Sequence, residues 1–165
     1  MPSAYSPRLR FEEQLTGENT NTWGVQLSNT LARIDDAIAG YLAIAITGDT
    51  TITSANDNTT ADQARMASFK FTGTLSATAT ITIPSVGKLY WIWNGCTGGA
   101  VMITTGSGNT VTVPAGDIAP VFCDGTNVKT LTISTYDIKG YVDSVAWTYN
   151  AGALPAQAGN AGKFV

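Results

Sequence analysis

Hydrophobic residues recur with a helical period in one segment only, residues 19 to 41, and alternate with polar residues along most of the chain that follows. In the helical segment the apolar residues lie three or four positions apart, at Trp23, Leu27, Leu31, Ile34, Ile38 and Tyr41. From Leu27 onwards this is the a/d spacing of a coiled coil, held for about two heptads. The opposite face carries Gln26, Asn29, Arg33 and Asp36. The pattern therefore predicts one short amphipathic helix.

Residues suited to helix ends flank this segment. Thr20 or Thr22 can cap the first turn, and Gly40 can end the helix in the left-handed conformation that glycine adopts at low cost. Two interpretations of the apolar stripe stay open: the helix packs on its own domain, or identical helices associate. The six apolar residues listed above are the candidate oligomerisation residues.

Beyond residue 47, short alternating runs predict seven or eight strands with a turn every 8 to 12 residues. One strand covers the alternating residues Leu75 to Ile83, and another is "KLYWIWNG", closed by a turn at Asn94-Gly95. Two more strands flank Gly106 to Asn109. A last hairpin turns at Asp124-Gly125 and joins Val121–Cys123 to Val128–Ser134.

These elements predict a mainly β protein in four parts. An extended arm (1–18) comes first, followed by the helix and a connecting strand (19–47). An antiparallel β-sandwich or jelly-roll-like domain occupies 48–135. Residues 136–165, rich in Gly and Ala near their end, are expected to form an extended C-terminal segment or linker.

Composition argues against several kinds of partner. The formal net charge is −3 with nine Lys plus Arg, whereas a nucleic-acid surface needs a basic stripe. The most apolar run, "YLAIAI", is too short to cross a bilayer, so we expect no membrane insertion. Cys96 and Cys123 are expected to be buried free thiols, and a bridge requires their strands to be neighbours.

The side chains needed for catalysis or metal binding are sparse. The chain contains no histidine, which excludes Ser-His-Asp triads and histidine metal sites. Aspartates such as Asp124 fall in turns, where they usually bind their own backbone. We therefore expect no enzyme, no metal site and no cofactor. "LYWIWNG" places Trp91 and Trp93 on one face of a strand and Tyr90 on the other; these aromatics form core if buried and candidate glycan-stacking platforms if exposed.

The segment 8–41, "RLRFEEQLTGENTNTWGVQLSNTLARIDDAIAGY", resembles the N-terminal region of many tailed-bacteriophage fibre and related virion proteins. The shared pattern is a polar Gly-Asn stretch, Thr-Trp-Gly, and a short helix ending in Ile-Asp-x-Ala-Ile. It falls on Gly17, Asn19, Asn21, Thr22, Trp23, Gly24, Leu27, Asn29, Ile34, Asp35, Ala37 and Ile38. "LPAQAGNAGKFV", residues 154–165, is similar to a linker found in phage tail fibres.

The resemblance implies a structural homotrimer in the virion, attached through its N-terminal region. The modest length favours a short fibre, or the protein that anchors a fibre, at the tail, baseplate or neck. We expect the arm and the C-terminal tail to contact other virion proteins. A capsid decoration or head-fibre protein is one alternative. A carbohydrate-binding module that attaches to host surface glycans through Tyr90, Trp91 or Trp93 is another.

Overall fold

A computed structural model describes residues 4–56 and 62–130 of the chain. The predicted segment 136–165 and the end of the last predicted strand lie outside the described residues. The bounds are β1 Ala4–Tyr5, β2 Glu12–Glu13, α1 Trp23–Ala39, β3 Tyr41–Ala45, β4 Thr50–Thr51, a 3-10 turn Gln63–Arg65, β5 Ser68–Thr74, β6 Ala79–Thr82, β7 Gly87–Thr97, β8 Val101–Thr104, β9 Val111–Val113, β10 Ile118–Asp124 and β11 Val128–Thr130. The prediction of a mainly β protein with one α-helix is confirmed for this part of the chain.

The chain alternates between two larger sheets. Strands β3, β5 and β7 lie side by side in a five-stranded sheet of order β11-β10-β7-β5-β3, and β4, β6 and β8 lie side by side in a four-stranded sheet of order β4-β6-β8-β9. Each circuit of the chain therefore adds one strand to both sheets, parallel to the strand of the previous circuit. This arrangement of stacked circuits resembles a β-solenoid. The antiparallel strands β9, β10 and β11 follow the last circuit.

The predicted antiparallel topology is therefore wrong for half of the strand pairs. Four of the eight pairs in the described ranges are parallel. The turns after β3, β5 and β7 lead across to the other sheet, whereas a hairpin would return to the same one. Alternating hydrophobicity identifies which face of a strand is buried, but it is the same for parallel and antiparallel neighbours.

Buried residues from the two larger sheets form one hydrophobic core. The inward side chains of the five-stranded sheet include Phe69, Phe71 and Tyr90, and those of the four-stranded sheet include Ile81 and Ile103. Phe69 stacks near Phe71 and Tyr90, with ring centroids 6.1 and 5.6 Å away. The predicted alternation from Leu75 to Ile83 is confirmed from Ala79 onwards, where Ala79, Ile81 and Ile83 are buried and the strand β6 forms. It is wrong before Ala79, because Ala77 is exposed and lies outside any strand.

The predicted turn at Asn94-Gly95 is wrong, because both residues lie within the long strand β7. The Asn94 side chain is fully buried, donates to the carbonyls of Gly99 and Val113, and accepts from the backbone N–H of Cys96. At Gly95 a Cβ would lie 3.0 Å from the Phe71 carbonyl oxygen on the neighbouring strand. Tertiary packing thus explains two residues that usually signal a turn.

The predicted turn at Asp124-Gly125 is confirmed, and it joins β10 to β11. The Asp124 carboxylate accepts hydrogen bonds from the backbone N–H groups of Thr126 and Asn127, at 3.0 and 2.7 Å. Gly125 takes a left-handed conformation, with φ +104°. The loop at Gly106 to Asn109 likewise separates β8 from β9, as predicted.

Both cysteines are free and buried, as predicted. They lie on neighbouring strands, but the register pairs Cys123 with Lys88, which is eight residues from Cys96 along β7. At about 3.4 Å per residue the two thiols are roughly 27 Å apart, so no bridge can form within the chain.

The N-terminal arm is not extended throughout, contrary to the prediction. Strands β1 and β2 pair as a small hairpin. The backbone N–H of Ser6 donates to the Phe11 carbonyl, and that of Arg10 donates to the Ser6 carbonyl. Arg10 lies in the left-handed region with φ +56°, a conformation that costs a non-glycine residue roughly 1–2 kcal/mol. The hairpin therefore depends on contacts that hold Arg10 in place.

The helix begins at Trp23 with Thr22 as N-cap, but the Thr22 hydroxyl makes no capping bond and instead donates to the Asn19 carbonyl. Gly40 follows the helix, as predicted, but with extended dihedral angles (φ −62°, ψ 135°). Glycine suits this position for a steric reason: a Cβ would overlap the Asp36 carbonyl oxygen and lie 2.7 Å from Met66 Sδ. Only Gly40 separates the helix from β3, so Tyr41 is a strand residue.

Candidate functional site

The apolar stripe of α1 faces away from the rest of the described chain. No residue of the helix is buried. Leu31 and Ile38 keep 57% and 76% of their surface exposed, Trp23 and Leu27 are also exposed, and Ile34 is partly covered. We call Trp23, Leu27, Leu31, Ile34, Ile38 and Tyr41 the helix stripe. The helix thus forms without burying these side chains in its own chain.

The polar face of the helix is the better covered one. Gln26, Asn29, Arg33 and Asp36 are all of intermediate exposure. Arg33 pairs with Asp36 at 2.8 Å, and the Asp36 carbonyl accepts from the backbone N–H groups of Gly40 and Ala67. A soluble amphipathic helix normally turns its apolar side inward. This helix has the reverse orientation.

A second apolar surface lies on the outer side of the five-stranded sheet. Alternate residues of β7 pair across the strands with residues of β10: Leu89 with Phe122, Trp91 with Pro120, and Trp93 with Ile118. Leu89, Trp91, Ile118 and Phe122 are exposed, while Trp93 and Pro120 are partly covered. We call these six residues the outer apolar face. Large contiguous apolar patches on a protein surface often mark interaction sites, so this face is a candidate interface.

Two shallow grooves show how the outer apolar face is bounded. One, of about 490 Å³, is lined by Leu89, Trp91, Pro120, Phe122, Lys129 and Thr130. The other, of about 240 Å³, is lined by Tyr41, Ser68, Phe69, Trp91, Trp93 and Ile118. Trp91 lines both grooves. Tyr41, which lines the second groove, belongs to β3 and follows the last helical residue by two positions, whereas neither groove is lined by a residue of α1.

The three aromatic residues of the predicted stacking site have different environments. Tyr90 is fully buried and its hydroxyl donates to the Ala64 carbonyl at 3.3 Å, so it belongs to the core and cannot stack on a ligand. Trp91 is 51% exposed. The Lys70 ammonium lies 3.6 Å from the centroid of the Trp93 ring and covers part of it. The prediction that Trp91 and Trp93 share the face opposite Tyr90 is confirmed.

The sequence analysis missed Ile118 and Pro120 because it began the strand at Val121, and it placed Phe122 in the strand without assigning it to a surface. Residues 118 to 122 are all apolar, so no alternation with polar residues marks the outward side of this strand. Proline within this run reduced its resemblance to a strand. The six positions combine into one surface only through the β7–β10 register, which the sequence alone does not specify.

A buried cluster of charged residues connects the N-terminal hairpin of β1 and β2 to the β domain. The Arg10 guanidinium donates two hydrogen bonds to the Asp62 carboxylate, at 2.5 and 2.9 Å. Arg65 lies 3.4 Å from the same carboxylate and donates to the carbonyls of Leu9 and Arg10, at 2.8 and 3.0 Å. Arg10, Asp62 and Arg65 are all buried. Arg10 binds the Asp62 carboxylate through two hydrogen bonds, and Arg65 shares the same carboxylate. These contacts compensate the loss of hydration of the three buried charges, which would otherwise destabilise the fold.

Lys88 of β7 completes the cluster. Its ammonium donates to the carbonyls of Ala64, Arg65 and Met66, the chain around the 3-10 turn. Burial, followed by the positive charge of Arg10, lowers the pKa of Lys88 from 10.5 to about 7. Burial also raises the pKa of the neighbouring Tyr90 hydroxyl. The cluster joins the N-terminal hairpin, the 3-10 turn and β7 through hydrogen bonds and ion pairs.

The carboxylates of Asp49 and Asp124 accept hydrogen bonds from backbone N–H groups. The backbone N–H groups of Asn127 and Thr126 lower the pKa of Asp124 to about 2, which keeps this turn carboxylate ionised. Asp49 accepts a hydrogen bond from the backbone N–H of Thr80 at 2.7 Å. Within residues 4–56 and 62–130, no three acidic, cysteine or histidine side chains gather in a way that would hold a metal ion. Helix α1, like every helix in these ranges, lacks the length and apolar character for crossing a membrane.

The chain matches no family model, no curated protein and no solved structure.

Proposed function

We propose that this chain is a structural virion protein of a tailed phage that assembles as a homotrimer through its N-terminal helix. Its role would be that of a short fibre, or of the protein that anchors a fibre, at the tail, baseplate or neck. The proposal for the virion rests on the resemblance of residues 8–41 and 154–165 to fibre proteins. The proposal for assembly rests on one observation, the outward orientation of the helix stripe.

Physical chemistry favours a partner for this helix. An isolated 17-residue helix is marginal in water, and packing normally supplies its stability. Each Leu or Ile transferred from water to an apolar interface contributes roughly 1.5 to 3 kcal/mol when fully buried. Three copies of the stripe around one axis would bury Leu27, Leu31 and Ile38, which one chain leaves exposed. The a/d spacing of the stripe suits this packing.

The test is the mass of the full chain in solution, measured by multi-angle light scattering. We expect three times the chain mass of 17.2 kDa for the natural sequence. Leu31→Asp should yield a folded monomer, because a carboxylate in the apolar seam would lose its hydration without a partner. Asn29→Asp is the matched control on the polar face and should keep the trimer.

Substitution tests the helix better than truncation. A chain beginning at Thr47 would lack β3, the edge strand that pairs with β5, and Arg10, which binds Asp62. A monomeric natural chain would contradict the proposal, as would a trimer that survives Leu31→Asp. The position in the virion is a separate question, which immunogold labelling of intact particles answers. Label on the capsid would favour the alternative of a decoration or head-fibre protein.

A carbohydrate-binding module is the second candidate, supported by the exposure of Trp91. A half-exposed tryptophan can stack on a sugar ring. Leu89, Pro120 and Phe122 surround it, however, and a glycan site also needs polar partners for its hydroxyl groups. Binding of the purified chain to host-surface glycans, lost in Trp91→Ala, would support this candidate.

A further inference from the structure

We infer that the outer apolar face of the five-stranded sheet binds a second copy of this chain and forms the second half of the assembly interface. The inference rests on the proposed function, since it takes association of the helices as its premise. It names a partner for Leu89, Trp91, Trp93, Ile118, Pro120 and Phe122, none of which belongs to the helix stripe.

The first argument is continuity between the two surfaces. Tyr41 begins β3 two positions after the helix ends, and it lines the same groove as Trp91, Trp93 and Ile118. The register places Ser68 between them, opposite Tyr41 on one side and Trp91 on the other. Strand β7 lies two strands from β3 in the sheet, or roughly 10 Å at the usual spacing. A partner that covers Tyr41, directly after the helix, therefore also reaches the edge of the outer apolar face.

The second argument is the direct connection between helix and sheet. The helix ends at Ala39 and β3 begins at Tyr41, with Gly40 as the one residue between them. A side chain at position 40 would overlap the Asp36 carbonyl and approach Met66 Sδ, so helix and strand are closely packed at Gly40. When helices associate, the β domains of neighbouring copies are therefore brought together at a high local concentration. Apolar residues near this end of the sheet are then placed to meet another copy.

The third argument is surface area. Nine large apolar side chains of the two surfaces are between 39% and 76% exposed. Four of them are aromatic and expose roughly 75 to 125 Å² each, about half of the area that an aromatic side chain buries. The five Leu and Ile side chains expose roughly 30 to 60 Å² each, about half of the area that corresponds to 1.5 to 3 kcal/mol at 25 cal/mol per Å², so the nine offer roughly 450 to 800 Å². A stable interface takes roughly 600 to 1,000 Å² from each partner. The two surfaces reach this range only together.

The local charges are compatible with self-association. Lys70 and Lys129 lie at the borders of the face, and each has a partner within its own chain: Lys70 covers the Trp93 ring, and Lys129 lies 3.2 Å from Asp124. The centre of the face, at Trp91 and Pro120, carries no charge. A buried centre without charges and a charged rim are the usual composition of a protein interface.

The experiment compares the association of the full chain with that of two variants. Trp91→Lys with Phe122→Lys places two charges on the outer apolar face, and Thr112→Lys with Thr51→Lys places two at exposed strand positions of the four-stranded sheet. Concentration-dependent mass gives the dissociation constant of each. We expect the first pair to raise the dissociation constant at least about 100-fold, because removing two aromatic residues from the centre of an interface costs that much binding energy. The second pair should change the dissociation constant by less than about threefold.

A second measurement uses the natural chain and does not depend on the folding of a variant. Hydroxyl-radical oxidation of Trp91 and Phe122, read by mass spectrometry, should be several-fold slower in the oligomer than after dilution to the monomer. Equal oxidation in both states would overturn the inference, as would equal dissociation constants for all chains.

These outcomes also separate the two proposals. If Leu31→Asp dissociates the oligomer while the Trp91→Lys, Phe122→Lys pair does not, the helix assembles the protein and the inference about the sheet fails. A natural chain that is monomeric at all concentrations overturns both. Oxidation of Trp91 that is fast in the oligomer but slowed by an added glycan would assign the face to a carbohydrate and likewise overturn self-association.

Discussion

Lys88 occupies a site in which its charge is only partly compensated. Three backbone carbonyls accept its hydrogen bonds, and Asp62 supplies one negative charge, but Arg10 and Arg65 add two positive charges nearby. Burial and these cations lower the pKa of Lys88 to about 7, whereas the same amine in the unfolded chain titrates near 10.5. The unfolded chain therefore binds the proton more tightly than the folded chain does.

This difference predicts a pH-dependent stability. Between pH 7 and 9 the unfolded chain keeps the Lys88 proton while the folded chain loses it, so the free energy of unfolding should rise, by roughly 2 kcal/mol. Above pH 9 the free energy of unfolding should fall again, because burial raises the pKa of Cys96 and of Tyr90 and the unfolded chain releases these protons first. Urea unfolding at fixed protein concentration measures the rise. Lys88→Met should flatten it; a rise of equal size in this variant would contradict the assignment.

At the scale of elements, the junction between α1 and β3 depends on the absence of a side chain at Gly40. The Asp36 carbonyl, which ends the helix, accepts hydrogen bonds from Gly40 and Ala67 and would overlap a Cβ at position 40. The close packing at Gly40 therefore restricts the angle between the helix and β3. Since this angle decides where the helix stripe points relative to β3, the junction is also part of the proposed assembly site.

A pair of alanine substitutions tests the junction. Gly40→Ala should lower the free energy of unfolding by roughly 2 kcal/mol, because the backbone must move to remove the overlap. Gly24→Ala, in the first turn of the same helix, should raise it by a few tenths to about 1 kcal/mol, since a Cβ there meets no described atom within 4 Å and alanine favours helix. Chemical denaturation of both variants measures the difference. Equal effects would show that the contacts of Gly40 are unimportant.

At the scale of the whole molecule, most of the large exposed hydrophobic residues fall on two connected surfaces. The outliers in the described ranges are Leu15 and Val25. The helix stripe and the outer apolar face account for the remaining nine. Such a concentration of apolar surface is costly in a monomer and becomes favourable when copies associate.

Association through these surfaces predicts a stability that depends on protein concentration. Because only folded chains bind one another, the midpoint of thermal unfolding should rise with concentration for the natural chain, by several degrees over a hundredfold range. Leu31→Asp should remove the dependence and leave a cooperative transition of the β domain. Scanning calorimetry at several concentrations checks both expectations. A midpoint that is constant for the natural chain would argue for a monomer.

The helix and the buried faces of the strands could be predicted from the sequence because the signals are local. Apolar residues three or four apart describe a helix whatever surrounds it, and alternation describes a half-buried strand. The turn at Asp124-Gly125 was also predictable, since Asp124 binds the backbone of its own turn. The apolar stripe was identified in the sequence, but its outward orientation was not, because periodicity does not say which side of a helix faces the rest of the chain.

The sequence by itself therefore determined the helix, the buried faces of most strands, the free buried cysteines and the opposite orientation of Tyr90 and Trp91. Only the tertiary structure decided the parallel pairing and the place of Asn94 and Gly95 within β7. It alone also decided the ion pair of Arg10 with Asp62 and the combination of β7 and β10 residues into the outer apolar face. The physical reason is range. Periodicity and turn chemistry act over a few residues, whereas Arg10 and Asp62 are 52 positions apart and meet only after the chain has folded.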